Sequence, residues 1–166
     1  MKTYISRITI IFLLLSTSTL FAQEKRWQYS GDVRVSVAGT AAFVQPSLLT
    51  THGFTFKENF FLGVGTGYYH SPVYSSNAHL IPVYGTIRGY IPFKNWSHRM
   101  VLNLDLGAAF FIPDINPQCI FYGNIGIGVD WKIRDTKYTI STMIVGQTPV
   151  GLVPLPIPGV SVSFNF

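Results

Sequence analysis

One cysteine, few charges and no second long apolar run set the limits on this chain. Cys119 is the only cysteine, so no internal disulfide can form and stability must come from elsewhere. Only 11% of the residues are charged, against about 25% in ordinary soluble domains. Beyond the N-terminal region no apolar run approaches the roughly 20 residues that a membrane helix takes. The glycines alternate along extended segments instead of opening helices, so no phosphate-binding loop is present. The positive excess is small, and it gives no reason to expect a nucleic-acid partner.

What is present begins with an export signal. Lys2 and Arg7 precede an apolar run from Ile8 to Leu15, followed by small polar residues. That is the layout of a secretory signal peptide, and the run is too short to span a bilayer as a helix. Cleavage is expected after Ala22, although Leu20 departs from the usual small residue at that position. No cysteine follows to take a lipid anchor. The expected organisation is a signal peptide at 1–22 and one domain at 23–166, with net charge +3 once Lys2 and Arg7 are gone. An exported chain with 48% apolar and 15% aromatic residues, and no second helix, points to a membrane β-barrel.

The periodicity agrees. Valines 33, 35 and 37 alternate with Asp32, Arg34 and Ser36; leucines 102, 104 and 106 alternate with Asn103, Asp105 and Gly107. Period 2 of this kind predicts strands. Eight are expected, at 27–38, 43–56, 60–70, 79–92, 98–111, 118–132, 137–146 and 157–166. Each reaches the roughly 9–11 residues of a tilted membrane strand. The connections at 57–59, 94–97 and 134–136 are tight and charged. Those at 71–78, 112–118 and 147–158 are longer and rich in proline, while the one near 39–42 is short. In outer-membrane barrels short turns are periplasmic and long loops external, so both termini are expected in the periplasm. Trp27, Trp96 and Trp131 cluster at the turn end with Phe54, Phe56, Phe60, Tyr90, Tyr138, Phe164 and Phe166. Phe43, Tyr68, Phe110 and Phe121 fall at the loop end. Two such belts suit the two membrane interfaces. Pro46 and Pro82 are the weak points, because each removes a ladder donor from a strand; pairing is expected to lapse near them.

The segments "LLTTHGFTFKENFFLGVGTGYYH", "IPVYGTIRGYI", "LNLDLGAAF", "FYGNIGIGVDW" and "GVSVSFNF" resemble the small outer-membrane β-barrel proteins common in Bacteroidetes, within the broader class of OmpA- and OmpX-like eight-stranded barrels. The resemblance spans roughly 45–166, and the hairpin "TTHGFTFKENFFLGVGTGYY" is its most specific part. It implies an all-β, eight-stranded antiparallel up-and-down transmembrane barrel inserted in the outer membrane. It carries over no catalytic or binding residues. The outer loops depart from the class in being short and nearly uncharged.

The polar face defines an expected interior network of Asp32, Arg34, Arg88, Asp105 and Asp130, joined by Tyr84, Tyr90, Asn103, Tyr122 and Asn124. Gly63, Gly65 and Gly67 share that face. Eight strands enclose a space just wide enough for side chains, so a filled lumen without an open pore is expected. Buried charges are costly alone, so the aspartates should pair with Arg34 and Arg88 or be hydrated. The network reads as a structural polar core or as a proton path. Almost all other charges, Arg99 among them, fall at the turn end, and the assigned outer loops carry only Asp114. The apolar loop holding Val150, Leu152, Val153, Leu155 and Ile157 would dock a partner outer-membrane protein or cap its own barrel. In the last strand Val160, Val162, Phe164 and Phe166 should face lipid. That strand should pair with the first around 27–37, and its terminal aromatic resembles the signal read by the outer-membrane insertion machinery.

Catalytic chemistry has little material. His70 and His79 bracket the second outer loop, but a metal site usually takes three or four ligands, and no metal or cofactor is assigned. "YHS" at 69–71, with Ser75, Ser76 and Asp114, is thin for a serine nucleophile with its base and acid. A non-catalytic structural or accessory barrel in outer-membrane lipid is the leading reading. An outer-leaflet lipid-modifying enzyme or small-ligand binder is one alternative, and a soluble secreted lipocalin-like barrel is another. In the soluble form the apolar face would turn inward, which alternation alone does not decide.

Overall fold

Alternating sequences become strands, and in a sheet with one apolar and one polar face the remaining question is which face is enclosed. The computed structural model describes residues 27–40, 43–72, 78–93, 98–112, 119–133, 138–149 and 157–166, apart from the side chains of Phe43, Thr148 and Pro149. The expected signal peptide, Trp96 and Asp114 lie outside the described residues. The strands are β1 (Trp27–Thr40), β2 (Phe43–Phe56), β3 (Phe60–His70), β4 (His79–Pro92), β5 (His98–Ile112), β6 (Cys119–Lys132), β7 (Thr139–Pro149) and β8 (Ile157–Asn165). All neighbours are antiparallel, and β8 pairs with β1, so the sheet is a closed eight-stranded barrel.

The apolar face is outside. Val64 and Ile144 are 68% and 67% exposed, whereas Asp32, Arg34 and Asp105 inside are each 0% exposed. This is the reverse of the lipocalin-like arrangement. The aromatics at the turn end pack in pairs on the outer surface, with Trp27 against Phe56 at 4.9 Å and Tyr138 against Phe164 at 5.4 Å between ring centres. Tyr90 does not join them. Its side chain is buried, facing inward, because it shares the parity of Arg88 and Thr86.

Closure is staggered. β8 pairs with β1 over Asp32–Ala38, and Phe166 continues the ladder by exchanging two backbone hydrogen bonds of 2.9 Å with Gly31. The expected pairing back to Trp27 does not occur; Trp27 to Ser30 pair only with β2. A sheet closes into a barrel only with such a register shift. Both suspect prolines remain in strands. Pro46 stays opposite Val37 of β1 while the β3 ladder starts one residue later, at Ser47. Pro82 stays opposite Ala109 of β5, and the β3–β4 ladder passes from Thr66–Val83 directly to Tyr69–Leu80. A strand residue offers its N–H to one side only, so each proline costs pairing on one flank.

The β2–β3 hairpin turns through Lys57 and Glu58, with φ of 48° and 61°, closed by Asn59 N–H donating to the Phe56 carbonyl at 3.1 Å. Hairpin turns with two positive-φ residues favour Asn-Gly. Ordinary side chains in that region cost roughly 1–2 kcal/mol each. Replacing Lys57-Glu58 by Asn-Gly should therefore stabilise the folded barrel by about 1 kcal/mol or more. A urea midpoint that fails to rise would show that neighbouring contacts already offset the strain.

Candidate functional site

Among the described residues, the lumen is where the fold gathers buried charged side chains. β1 supplies Asp32 and Arg34 from consecutive inward positions, and their partners come from the far wall. Arg34 Nη1 donates to Asp105 Oδ2 of β5 at 2.7 Å, and Arg88 of β4 pairs with Asp32. Two ion pairs thus cross the barrel and brace β1 against β4 and β5. Asn124 Nδ2 donates to Asp105 Oδ2 at 2.8 Å, and Arg88 Nε donates to Asn103 Oδ1 at 2.7 Å. The Arg88 guanidinium also lies 5.0 Å over the Phe61 ring, a cation–π contact.

Asp130 pairs with neither expected arginine. Its Oδ2 accepts from Arg99 Nε at 2.6 Å, and its Oδ1 accepts from the Ser141 hydroxyl at 2.6 Å. Arg99 was expected among the turn-end charges, yet it reaches into the lumen mouth. Its guanidinium lies 3.9 Å over the Tyr90 ring, and its Nη1 donates to the Glu58 carbonyl at 2.8 Å. The signal was available: Arg99 shares the parity of Val101, Asn103 and Asp105. A cavity of about 420 Å³ lies at this turn end, walled by Ser30, Arg88, Tyr90, Arg99, Asp130 and Asn165 among others.

The loop end of the lumen is filled by rings. Tyr84 and Tyr122 lie 5.2 Å apart, and Tyr69 meets Tyr122 edge-on at 6.3 Å, with Leu49, Leu80 and Ala109 around them. Tyr84 fits because glycines flank it, Gly65 on β3 and Gly107 on β5, each opposite it in register. A Cβ at Gly65 would lie 2.4 Å from the Tyr84 ring. Gln45, which sequence parity alone did not mark, accepts from the Tyr69 hydroxyl at 2.6 Å and donates to Ser71 Oγ at 3.1 Å.

That last contact bears on catalysis. Ser71 is buried inside while His70 faces outward, so "YHS" does not assemble a serine–histidine pair. Ser75, Ser76 and Asp114 lie outside the described residues. Val150, Leu152, Val153 and Leu155 of the apolar loop also lie outside them; Ile157 is buried at the head of β8, opposite Gln147. Val160, Val162 and Phe164 are exposed on the outer face. The Phe166 ring lies across Gly31, where a Cβ would come within 3.0 Å of it, and 6.1 Å from the His52 ring. No group of three metal-ligating side chains occurs among the described residues.

No family model matches the sequence, and no curated protein matches it. The fold has solved counterparts. The chain is similar to the N-terminal β-barrel domain of Pseudomonas aeruginosa OprF, with TM-score 0.52, 18% identity, and coverage of 85% of this chain and 100% of that one. It is also similar to Neisserial surface protein A, with TM-score 0.51, 12% identity, and coverage of 84% and 92%. At such identities the likeness is one of fold.

Proposed function

We propose that this chain is a small non-catalytic barrel of the outer membrane, without an open pore, with a structural or accessory role. The observation that carries the reading is the inversion of the surface: an apolar outer wall around a charged, braced lumen. An apolar surface of that extent is stable in lipid and not in water. The paired aromatics at the turn end suit a headgroup belt. Likeness of fold to two bacterial surface barrels supports the location. The cross-lumen ion pairs and the tyrosine layer support a closed interior. Both termini would be periplasmic, with residues 1–22 removed on export. Fractionation with outer membranes and a heat-dependent shift in gel migration test this; recovery in the soluble periplasmic fraction would overturn it.

The last strand would carry the insertion signal. Phe166 packs over Gly31 and extends the closing ladder, so Phe166→Ala should lower the yield of folded, heat-modifiable protein several-fold in cells. Unchanged yield would count against the signal. The apolar segment 150–157 remains the proposed contact with a partner outer-membrane protein. Ile157 is part of the barrel wall, so the informative deletion is 150–156, which leaves Thr148 and Pro149 to close the β7–β8 turn. A complex extracted in mild detergent should shrink to barrel size on that deletion. An unchanged complex would remove the partner role.

A further inference from the structure

Two of the four histidines meet on the outer wall, while His98 lies beside the turn-end cavity. His70 and His79 are direct cross-strand partners at the loop end of the β3–β4 ladder. Their sequence neighbours Tyr69 and Leu80 point inward and are buried, so both imidazoles project outward. The ring centres are 5.1 Å apart with planes inclined by 38°. Two imidazoles bound to one tetrahedral metal at about 2.0–2.1 Å per bond hold their ring centres about 5 Å apart. The pair therefore already stands at chelating distance.

The surrounding atoms fit the same purpose. The Tyr68 hydroxyl hydrogen-bonds Nδ1 of His79 and its ring stacks on that imidazole at 5.7 Å. A ligand histidine is normally oriented by such an oxygen on its second nitrogen, which leaves Nε2 for the metal. Nδ1 of His70 is buried and makes no hydrogen bond among the described residues. His52 differs: its Nδ1 engages Tyr29 at 2.7 Å and its Nε2 engages Thr50 at 3.2 Å. The His98 ring packs against Trp131 at 4.4 Å between centres, tilted by 54°, at the opposite end of the barrel.

We propose that His70 and His79 form a two-histidine site for a divalent metal of intermediate softness, Cu²⁺ in preference to Zn²⁺. Imidazole suits both ions, and copper binds such a donor set more tightly. Two protein ligands leave the other positions to water or an external ligand, so the site is exchangeable and unlike a closed structural zinc site. It sits at the loop end of the β3–β4 ladder, just beyond the gap at Pro82, so bound metal clips the two strands on the loop side of that gap.

The test uses the full-length folded barrel in detergent micelles, titrated calorimetrically with Cu²⁺ or Zn²⁺ alone. One equivalent should bind, copper tighter than zinc. His70→Ala and His79→Ala should each weaken binding by at least about tenfold, and Tyr68→Phe by on the order of tenfold through the lost orientation of His79. His52→Ala should leave it unchanged. Heat-dependent gel migration establishes that each variant is folded, and saturating Zn²⁺ should raise the unfolding midpoint of the native chain but not of His70→Ala. Absence of binding, or binding that survives both His70→Ala and His79→Ala, overturns the site.

Discussion

Arg34→Met should destabilise the barrel by about 3–5 kcal/mol, the usual cost of removing one partner from a buried ion pair. Arg34 and Asp105 are both fully buried, and the carboxylate left behind would keep only neutral hydrogen-bond donors from the neighbouring strands, the Asn124 amide and the Thr86 hydroxyl, in place of its direct ion pair. The loss should exceed that of an ordinary wall substitution, because the Arg34 pair ties β1, a strand of the closing seam, to the opposite side. The paired variant Arg34→Met with Asp105→Leu should lose less than Arg34→Met alone, since no unpaired charge is then buried. Urea unfolding in micelles, read by the heat-dependent gel shift, measures both. A double variant as unstable as the sum of the two single variants would mean that Arg34 and Asp105 are not energetically coupled, and would overturn the ion-pair account.

The second large effect is steric. Gly107→Val should destabilise by roughly 1–3 kcal/mol or more, the overpacking range, whereas Gly89→Ala should be neutral or slightly stabilising. A Cβ at Gly107 would lie 2.1 Å from the Val83 carbonyl oxygen and 2.6 Å from Tyr84 Cα. Those are backbone atoms of the adjacent strand and cannot swing away. At Gly89 nothing lies within 4 Å, because that position faces outward. Gly107 is in register with Tyr84, so the variant should also displace the ring that fills the loop end of the lumen. Small-solute flux through reconstituted vesicles should rise in any Gly107→Val fraction that still folds. Equal tolerance at 107 and 89 would contradict close packing of the inner wall.

Much of this was written in local pattern. Eight strands were readable because period 2 persists through each of them and turn residues separate them. Where strand ends differ, as at Thr40 and Pro149, the hairpin ladder continues past the last alternating apolar residue. The two prolines looked like breaks because a sequence does not say which flank of a strand its missing N–H faces. Asp32, Arg34, Arg88, Asp105 and Asp130 all lie inside, and parity sufficed to group them. Their partners were not readable. Which arginine meets which aspartate depends on strands separated by half the barrel, and Arg99 entered the lumen mouth because Asp130 is its register partner on β6.

Alternation, the low charge and the spacing of turns thus determined by themselves that the chain forms eight antiparallel strands with one polar and one apolar face. Only the tertiary structure decided which face is enclosed, since both barrels share the same period. It also set the stagger that brings Phe166 onto Gly31 and the register that puts His70 beside His79. These are consequences of closing the sheet, and closure is a relation between strands far apart in the chain.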